Sequence, residues 1–219
     1  MDKRKDLLAL ARLRQQTRWE GYKCIGDADY HDGIYECDYV SPYTKSAGNV
    51  DADIMIMLQD WSSDEDMKKP VNWVDLGYDP TYPTNVNLIN LLQSTFGTAL
   101  RETYATNLFP FVKLGGMSAS IPHRDLVAAA REFAIPQIQI VRPRLVICLG
   151  LATFNALRRA RGLGTCPSID LAVSVPFDVE GSRVWCQAHT GRLGQNNRNR
   201  GGIDRVSSDW ARMKEDVFG

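Results

Sequence analysis

The 219-residue chain lacks most of the features that assign a function at once. Its five cysteines (Cys24, Cys37, Cys148, Cys166, Cys186) are odd in number, widely spaced and form no Cys-x-x-Cys pair, which disfavours a disulfide framework or a zinc ribbon. Cys24, His31 and Cys37 suggest a metal site only weakly, because a fourth ligand and the usual spacing are missing. Net charge is zero, with 26 basic and 26 acidic residues, so the mean charge predicts no polyelectrolyte partner. No apolar run approaches the roughly 20 residues of a membrane span, and Leu7 to Ala11 is too short for a signal h-region. The expectation is a soluble, cytoplasmic protein with no membrane partner. There is no GxxxxGK[ST] loop and no GxGxxG after a strand, so phosphate-loop and dinucleotide readings lack support.

What the chain does have is core. At 44% hydrophobic content, it can bury roughly 70% of the surface its unfolded form would expose, as one domain. Residues 2–16 carry Leu7, Leu10 and Leu13 or Ala11 at helical spacing. Thr17 to Val50 shows no period but holds five tyrosines (Tyr22, Tyr30, Tyr35, Tyr39, Tyr43), which reads as an ordered wrap pinned to the core by aromatic packing. From residue 51 onward, apolar runs alternate with helical patterns. Strands are expected at Asp53 to Leu58, Thr103 to Asn107, Leu145 to Leu149, Leu171 to Val175 and Arg183 to Ala188. Helices are expected at Thr84 to Thr95, Arg124 to Val141, Ala152 to Arg161 and Ser208 to Phe218, with Pro136 kinking or splitting the second of these. Continuous apolar strands are covered on both faces, and helices between them imply right-handed crossovers. The predicted fold class is therefore α/β, a three-layer α/β/α sandwich around a central, mainly parallel sheet of about four strands.

Charge is unevenly spread. Asp51 to Asp66 holds six acids, whereas Gly181 to Ile203 holds Arg183, Arg192, Arg198 and Arg200 and no acid. Within that second stretch, Gly191 to Gly202 is rich in glycine, amide and arginine, which suits a loop contacting phosphates. Arg158, Arg159 and Arg161 sit at a helix end where the macrodipole alone favours cations, and no function is assigned to them.

Two clusters carry the chemistry. Gln59-Asp60-Trp61 follows the run Ile54 to Leu58, and His189-Thr190-Gly191-Arg192-Leu193 follows Val184 to Ala188. Each places polar groups at a strand exit, the edge of an open α/β sheet where ligands bind. Taken singly, Asp60 is as compatible with a helix cap or turn, His189 with a loop hydrogen bond, and Asn107 with a turn residue. Together they offer an acceptor for water, an amide for a base edge and an imidazole donor for a leaving group.

In order and spacing these segments resemble the uracil-DNA glycosylase superfamily over roughly residues 52–200. Ala52 to Asp60 is similar to its first motif, Thr106-Asn107-Leu108 to its strand-end asparagine, Gln137 to Gly150 to its QIxxIRPxxIxxLG segment, and His189 to Gly194 to HPSPLS. Length and patterning predict a single domain over 1–219, with 1–50 as helix and wrap and 51–219 as α/β core. The resemblance implies a monofunctional DNA glycosylase that needs no cofactor and removes a deaminated base, most simply uracil; a monomer is the default expectation. In that family's terms Asp60 activates the water that attacks C1′, backbone beside Gln59 helps hold the base, and Asn107 reads its edge. Tyr82 or Tyr78 stacks on the base, and His189 donates to the base oxygen that gains charge. Leu193 wedges into the vacated space, and Gly191, Arg192, Asn197, Arg198 and Arg200 grip DNA. Three departures stand out: Leu58 replaces the motif glycine, Trp61 its proline, and Ser62 the tyrosine that blocks a thymine methyl group. Trp61 then blocks the pocket, stacks on the base or packs against the core. Thr190 replaces a proline, predicting a looser loop. Ala130 stands where iron-sulfur branches keep a cysteine, so no cluster is expected. The rival readings are a nucleic-acid-binding relative that has lost excision and an unrelated α/β hydrolase of free nucleosides or nucleotides.

Overall fold

In the computed structural model, which describes residues 2–70 and 72–219, the apolar runs form strands β1 (Ile54–Asp60), β2 (Tyr104–Phe109), β3 (Leu145–Leu149), β4 (Phe177–Val179) and β5 (Ser182–Gln187) of one sheet. Their order is β2-β1-β3-β5-β4. The first four pair in parallel, and β4 joins β5 antiparallel at the edge. Because side chains alternate across a strand, Met55 and Met57 of β1 enter one core, whereas Ile54, Ile56 and Leu58 enter the other. Helices α1 (Lys3–Gln16) and α2 (Pro83–Phe96) cover opposite faces. A composite α3 spans 123–141, α4 is Leu151–Ala160, α5 is Arg192–Arg198, and α6 is Arg205–Phe218. Phe133, Ile138 and Phe154 pack with α1 on the first face, and Leu88, Leu92, Trp210 and Met213 pack on the second. The architecture is thus a three-layer α/β/α sandwich.

Three details differ from expectation. Leu171 to Val175 is not a strand. Ser168 Oγ accepts the Leu171 N–H and starts a short helix, Ile169–Ala172, so the missing edge strand is the three-residue β4, whose alternating burial is too brief to read as a period. Pro136, which has no N–H to donate, is absorbed by a π turn at Ala130–Ala134 that widens α3 just before it. Gly191 to Gly202, expected as a loop, contains α5, a helix with no buried residue and therefore no hydrophobic period.

The wrap is pinned as expected: Tyr30 and Tyr43 are buried, and Arg14, fully buried in α1, donates to the carbonyls of Cys37 and Tyr39 at 2.8 Å each. Tyr22–Lys23 also pairs antiparallel with Val112–Lys113, just beyond β2. Among the described residues, no helix is long and apolar enough to cross a membrane.

The topology fixes where a ligand can sit. From β1 the chain crosses to β2 on one side; from β2 it returns past β1 to β3 on the other. The carboxyl ends of β1 and β3 therefore form the switch point, the crevice where open α/β sheets bind ligands.

Candidate active site

Asp60 ends β1, and Asn107 lies in β2 opposite Leu58. His189 leaves β5 two residues after its last hydrogen-bonded position, Gln187. Between them, β3 ends at Leu149 and is followed by Gly150, which has no side chain to put into the gap. The result is a cavity of about 420 Å³ lined by Asp60, Asn107, His189, Trp61, Tyr78 and Tyr82, among others. The side chains that the sequence places at three separate strand exits therefore face one hollow. Gln59 is not part of its lining; its amide Nε2 donates instead to Asp60 Oδ1 at 2.9 Å.

The Asp60 side chain is almost wholly covered, and its Oδ2 lies 2.8 Å from Nζ of the buried Lys113. The ammonium donates to the Met117 carbonyl at 2.7 Å. Lys113 escaped the sequence reading, although a lone charge within Phe109-Pro110-Phe111-Val112-Lys113-Leu114 was a signal: a buried ammonium needs a partner. The pair anchors the carboxylate, so one buried charge answers the other.

Asn107 is buried, and its amide is oriented by the wrap. Ser41 Oγ accepts the Tyr43 N–H at 3.2 Å and donates to Asn107 Oδ1 at 2.6 Å. Nδ2 has no partner among the described residues. A buried donor left unpaired costs about 1–3 kcal/mol, a penalty that a ligand carbonyl at this wall removes. Ser41 and Tyr43 were not foreseen as site residues, because nothing in an aperiodic wrap marks which hydroxyl will turn inward.

The tautomer of His189 is set by its own loop. The Gly191 N–H donates to Nδ1 at 3.0 Å, so in the neutral ring the proton resides on Nε2. The residue stands at the cavity mouth, yet crowding by protein lowers the imidazole pKa below its usual value; the Asp60 charge opposes this with a smaller upward push. A second proton on Nδ1 would confront the Gly191 N–H, donor against donor. At Thr190 the loop is tied down, not loosened. Thr190 Oγ1 donates to the Thr84 carbonyl at 2.8 Å, and Asn87 Nδ2 donates to the Thr190 carbonyl at 2.8 Å.

Gly194 holds the same loop from beneath. A Cβ there would lie 2.0 Å from the His189 carbonyl oxygen, so α5 can begin against this turn only with glycine. Gly194→Ala is expected to displace His189 and lower any activity of the site by about tenfold or more, with the bulk of the fold intact. Single-turnover kinetics alongside far-ultraviolet circular dichroism checks both halves.

The aromatic residues divide. Trp61 is part of the cavity wall: Nε1 donates to the Gly77 carbonyl at 2.7 Å, and its ring meets Tyr35 edge-on with centroids 5.3 Å apart. Tyr78 stacks on Tyr43 at 5.1 Å, and Tyr43 is fixed by donating to Asn85 Oδ1 at 2.8 Å. Tyr82 is 58% exposed at the rim.

The residues expected to contact DNA also separate. Leu193, at the start of α5, is 79% exposed, with no packing role to explain an apolar side chain there. Arg192 and Asn197 are exposed and Gly191 is partly so. Arg198 is not free to grip a phosphate. Its guanidinium is spent on Asp209, with Nε 2.6 Å from Oδ2, and on Asp170. This corrects the sequence expectation: Asp170 and Asp209 lie outside the acid-free stretch and return to it in space. Arg200 is exposed and donates to Asn197 Oδ1 at 3.0 Å. Asn197, Arg198 and Arg200 line a separate hollow of about 460 Å³ that shares no residue with the first.

No family model and no curated protein sequence matches the chain.

Proposed function

We propose that the chain is a monofunctional DNA glycosylase of the uracil-DNA glycosylase type, hydrolysing the N-glycosidic bond of a deaminated base, most simply uracil, and that it acts as a soluble monomer. The observation that carries this reading is the convergence of Asp60, Asn107 and His189 on one cavity, with an exposed apolar side chain, Leu193, four residues after His189. Asn107 presents a free N–H and, on Oδ1, a remaining lone pair. That combination matches adjacent C=O and N–H groups, as in uracil, and mismatches the amino group and bare ring nitrogen of cytosine. Asp60 orients water and accepts its proton as the oxygen bonds to C1′. The C1′–N bond breaks with its electron pair leaving on the base, and His189 Nε2–H donates to the carbonyl oxygen that receives the charge. An abasic site and free base result.

Extruding a base costs a few kcal/mol, least where pairing is already absent, and an apolar wedge offsets part of it. Leu193→Ala is accordingly expected to lower excision from duplex DNA roughly tenfold or more, and from single strands much less. Parallel single-turnover assays on the two forms check this.

The reading is tested with labelled oligonucleotides carrying uracil, hypoxanthine, xanthine or mismatched thymine, single- and double-stranded, treated with alkali after incubation. Strand breaks at uracil support it; breaks at none of the four overturn it. One observation favours a second reading, a DNA-binding relative without excision: Lys113 offsets the negative charge that an attacking water and a cationic sugar would use. Tight binding to uracil-containing or abasic DNA with no released base selects that alternative.

A further inference from the structure

The lining of the cavity falls into two chemically different groups of residues. One group, taken as the inner end, is the polar set Asp60, Asn107 and His189. The other group, taken as the outer end because Trp73 and Met117 in it are solvent-exposed, comprises Trp73, Met117 and Pro70. Trp73 and Met117 are 44% and 52% exposed, so folding alone does not account for their placement. Trp73 also adopts φ +60°, a conformation that a bulky side chain holds only when its surroundings impose it. They do so here. The Gly77 N–H donates to the Trp73 carbonyl at 2.9 Å, while Lys45 Nζ and Ser46 Oγ donate to the Val74 and Leu76 carbonyls at 2.9 and 2.8 Å. A Cβ on Gly77 would lie 1.8 Å from the Pro42 carbonyl oxygen, so the loop is pressed onto the wrap and cannot relax around a larger residue.

We infer that this outer end is a second subsite, which takes the nucleobase adjacent to the excised nucleotide and stacks it on Trp73, making single-stranded DNA the preferred substrate. The occupant is a base and not backbone phosphate, because the charged groups on the outer wall include the carboxylates of Asp66 and Asp79, with Lys69 already paired to Asp66. The subsite is continuous with the inner one, so a neighbour on the same strand reaches it. A single strand splays two consecutive bases at little cost, whereas a duplex pays for a second extrusion. Aromatic stacking tolerates any base.

This inference rests on the excision reading above, and the experiment keeps the two apart. Wild type, Trp73→Ala and Trp73→Phe are compared on single-stranded uracil oligonucleotides with intact neighbours or with a tetrahydrofuran abasic analogue 5′ or 3′ of the uracil. Binding is read by fluorescence anisotropy and excision by single-turnover kinetics. Removing one neighbouring base is expected to weaken wild-type binding by about five- to 150-fold, the worth of one stacked base. Trp73→Ala should show the same loss on the intact strand and no further loss on the abasic-flanked one, with Trp73→Phe restoring most of it. The ratio of single-strand to duplex excision should fall in step. Independent, additive effects of the two changes, or none, would overturn the subsite. Neighbour-dependent binding without excision in any strand would instead overturn the glycosylase reading and leave the subsite standing.

Discussion

Asp60→Asn is expected to reduce the single-turnover rate of base excision by two to four orders of magnitude, the range that a positioned general base contributes, while uracil-containing DNA still binds. The substitution keeps the shape of the side chain but removes the charge that orients water and supports a cationic sugar. It has a second consequence that a surface carboxylate would not have. Lys113 lies 2.8 Å from Asp60 in a buried pair, and removing one partner of such a pair destabilises a fold by about 3–5 kcal/mol because a charge is left uncompensated. The loss of rate and the loss of stability can be separated: Asp60→Asn combined with Lys113→Met should recover much of the stability in urea titrations and none of the rate. If the double variant recovers excision, Asp60 serves only as the counterion of Lys113.

The second large effect falls on His189. Loss of one donor to a developing anion lowers rates by about 10² to 10³, and His189→Ala is expected to do so with Asp60 and its anchors untouched. The pH dependence carries the finer test. Crowding by protein around the ring lowers the imidazole pKa, so the folded protein takes up this proton only below the ordinary histidine value of about 6.5. Above that value the ring is neutral in folded and unfolded chains alike. As pH falls through 6.5 the unfolded chain is protonated first, and the folded state loses stability relative to it until the lowered pKa is passed. The neutral ring, with Nδ1 taken by Gly191 and the proton on Nε2, is the form that donates to the leaving base. Excision should therefore be flat with respect to His189 between pH 8 and 6.5 and decline at lower pH, and the part of that decline due to the imidazole should vanish in His189→Ala. A wild-type profile that rises as pH falls below 6.5 would assign the work to the imidazolium instead.

How far the chain announced all this depends on whether a residue's role is local. β1, β3 and β5 were legible because strands covered on both faces need unbroken apolar runs, and Asp60 and His189 stood out as the polar residues that end two of those runs. β4 was invisible: Phe177-Asp178-Val179 is too short for a period, and the more apolar Leu171 to Val175 took its place on paper until a serine cap turned part of that segment into helix. α5 was hidden for the opposite reason, since a helix that buries nothing has no stripe to read. The orientation of Asn107 by Ser41, the ion pair of Asp60 with Lys113 and the capture of Arg198 by Asp170 and Asp209 all join residues distant along the chain. Only the fold brings such partners together, so charge patterning along the sequence cast Arg198 as a phosphate ligand when its charge was already spent.

The central claim is that Asp60, Asn107 and His189 enclose an extruded nucleobase. It is tested most directly by the crystal structure of the Asp60→Asn, Lys113→Met protein bound to a single-stranded uracil oligonucleotide. The account predicts uracil inside the cavity, with one carbonyl within hydrogen-bond distance of Asn107 Nδ2 and the other facing His189 Nε2. DNA bound with its uracil outside that cavity, or with Asn107 Nδ2 unengaged, would contradict it.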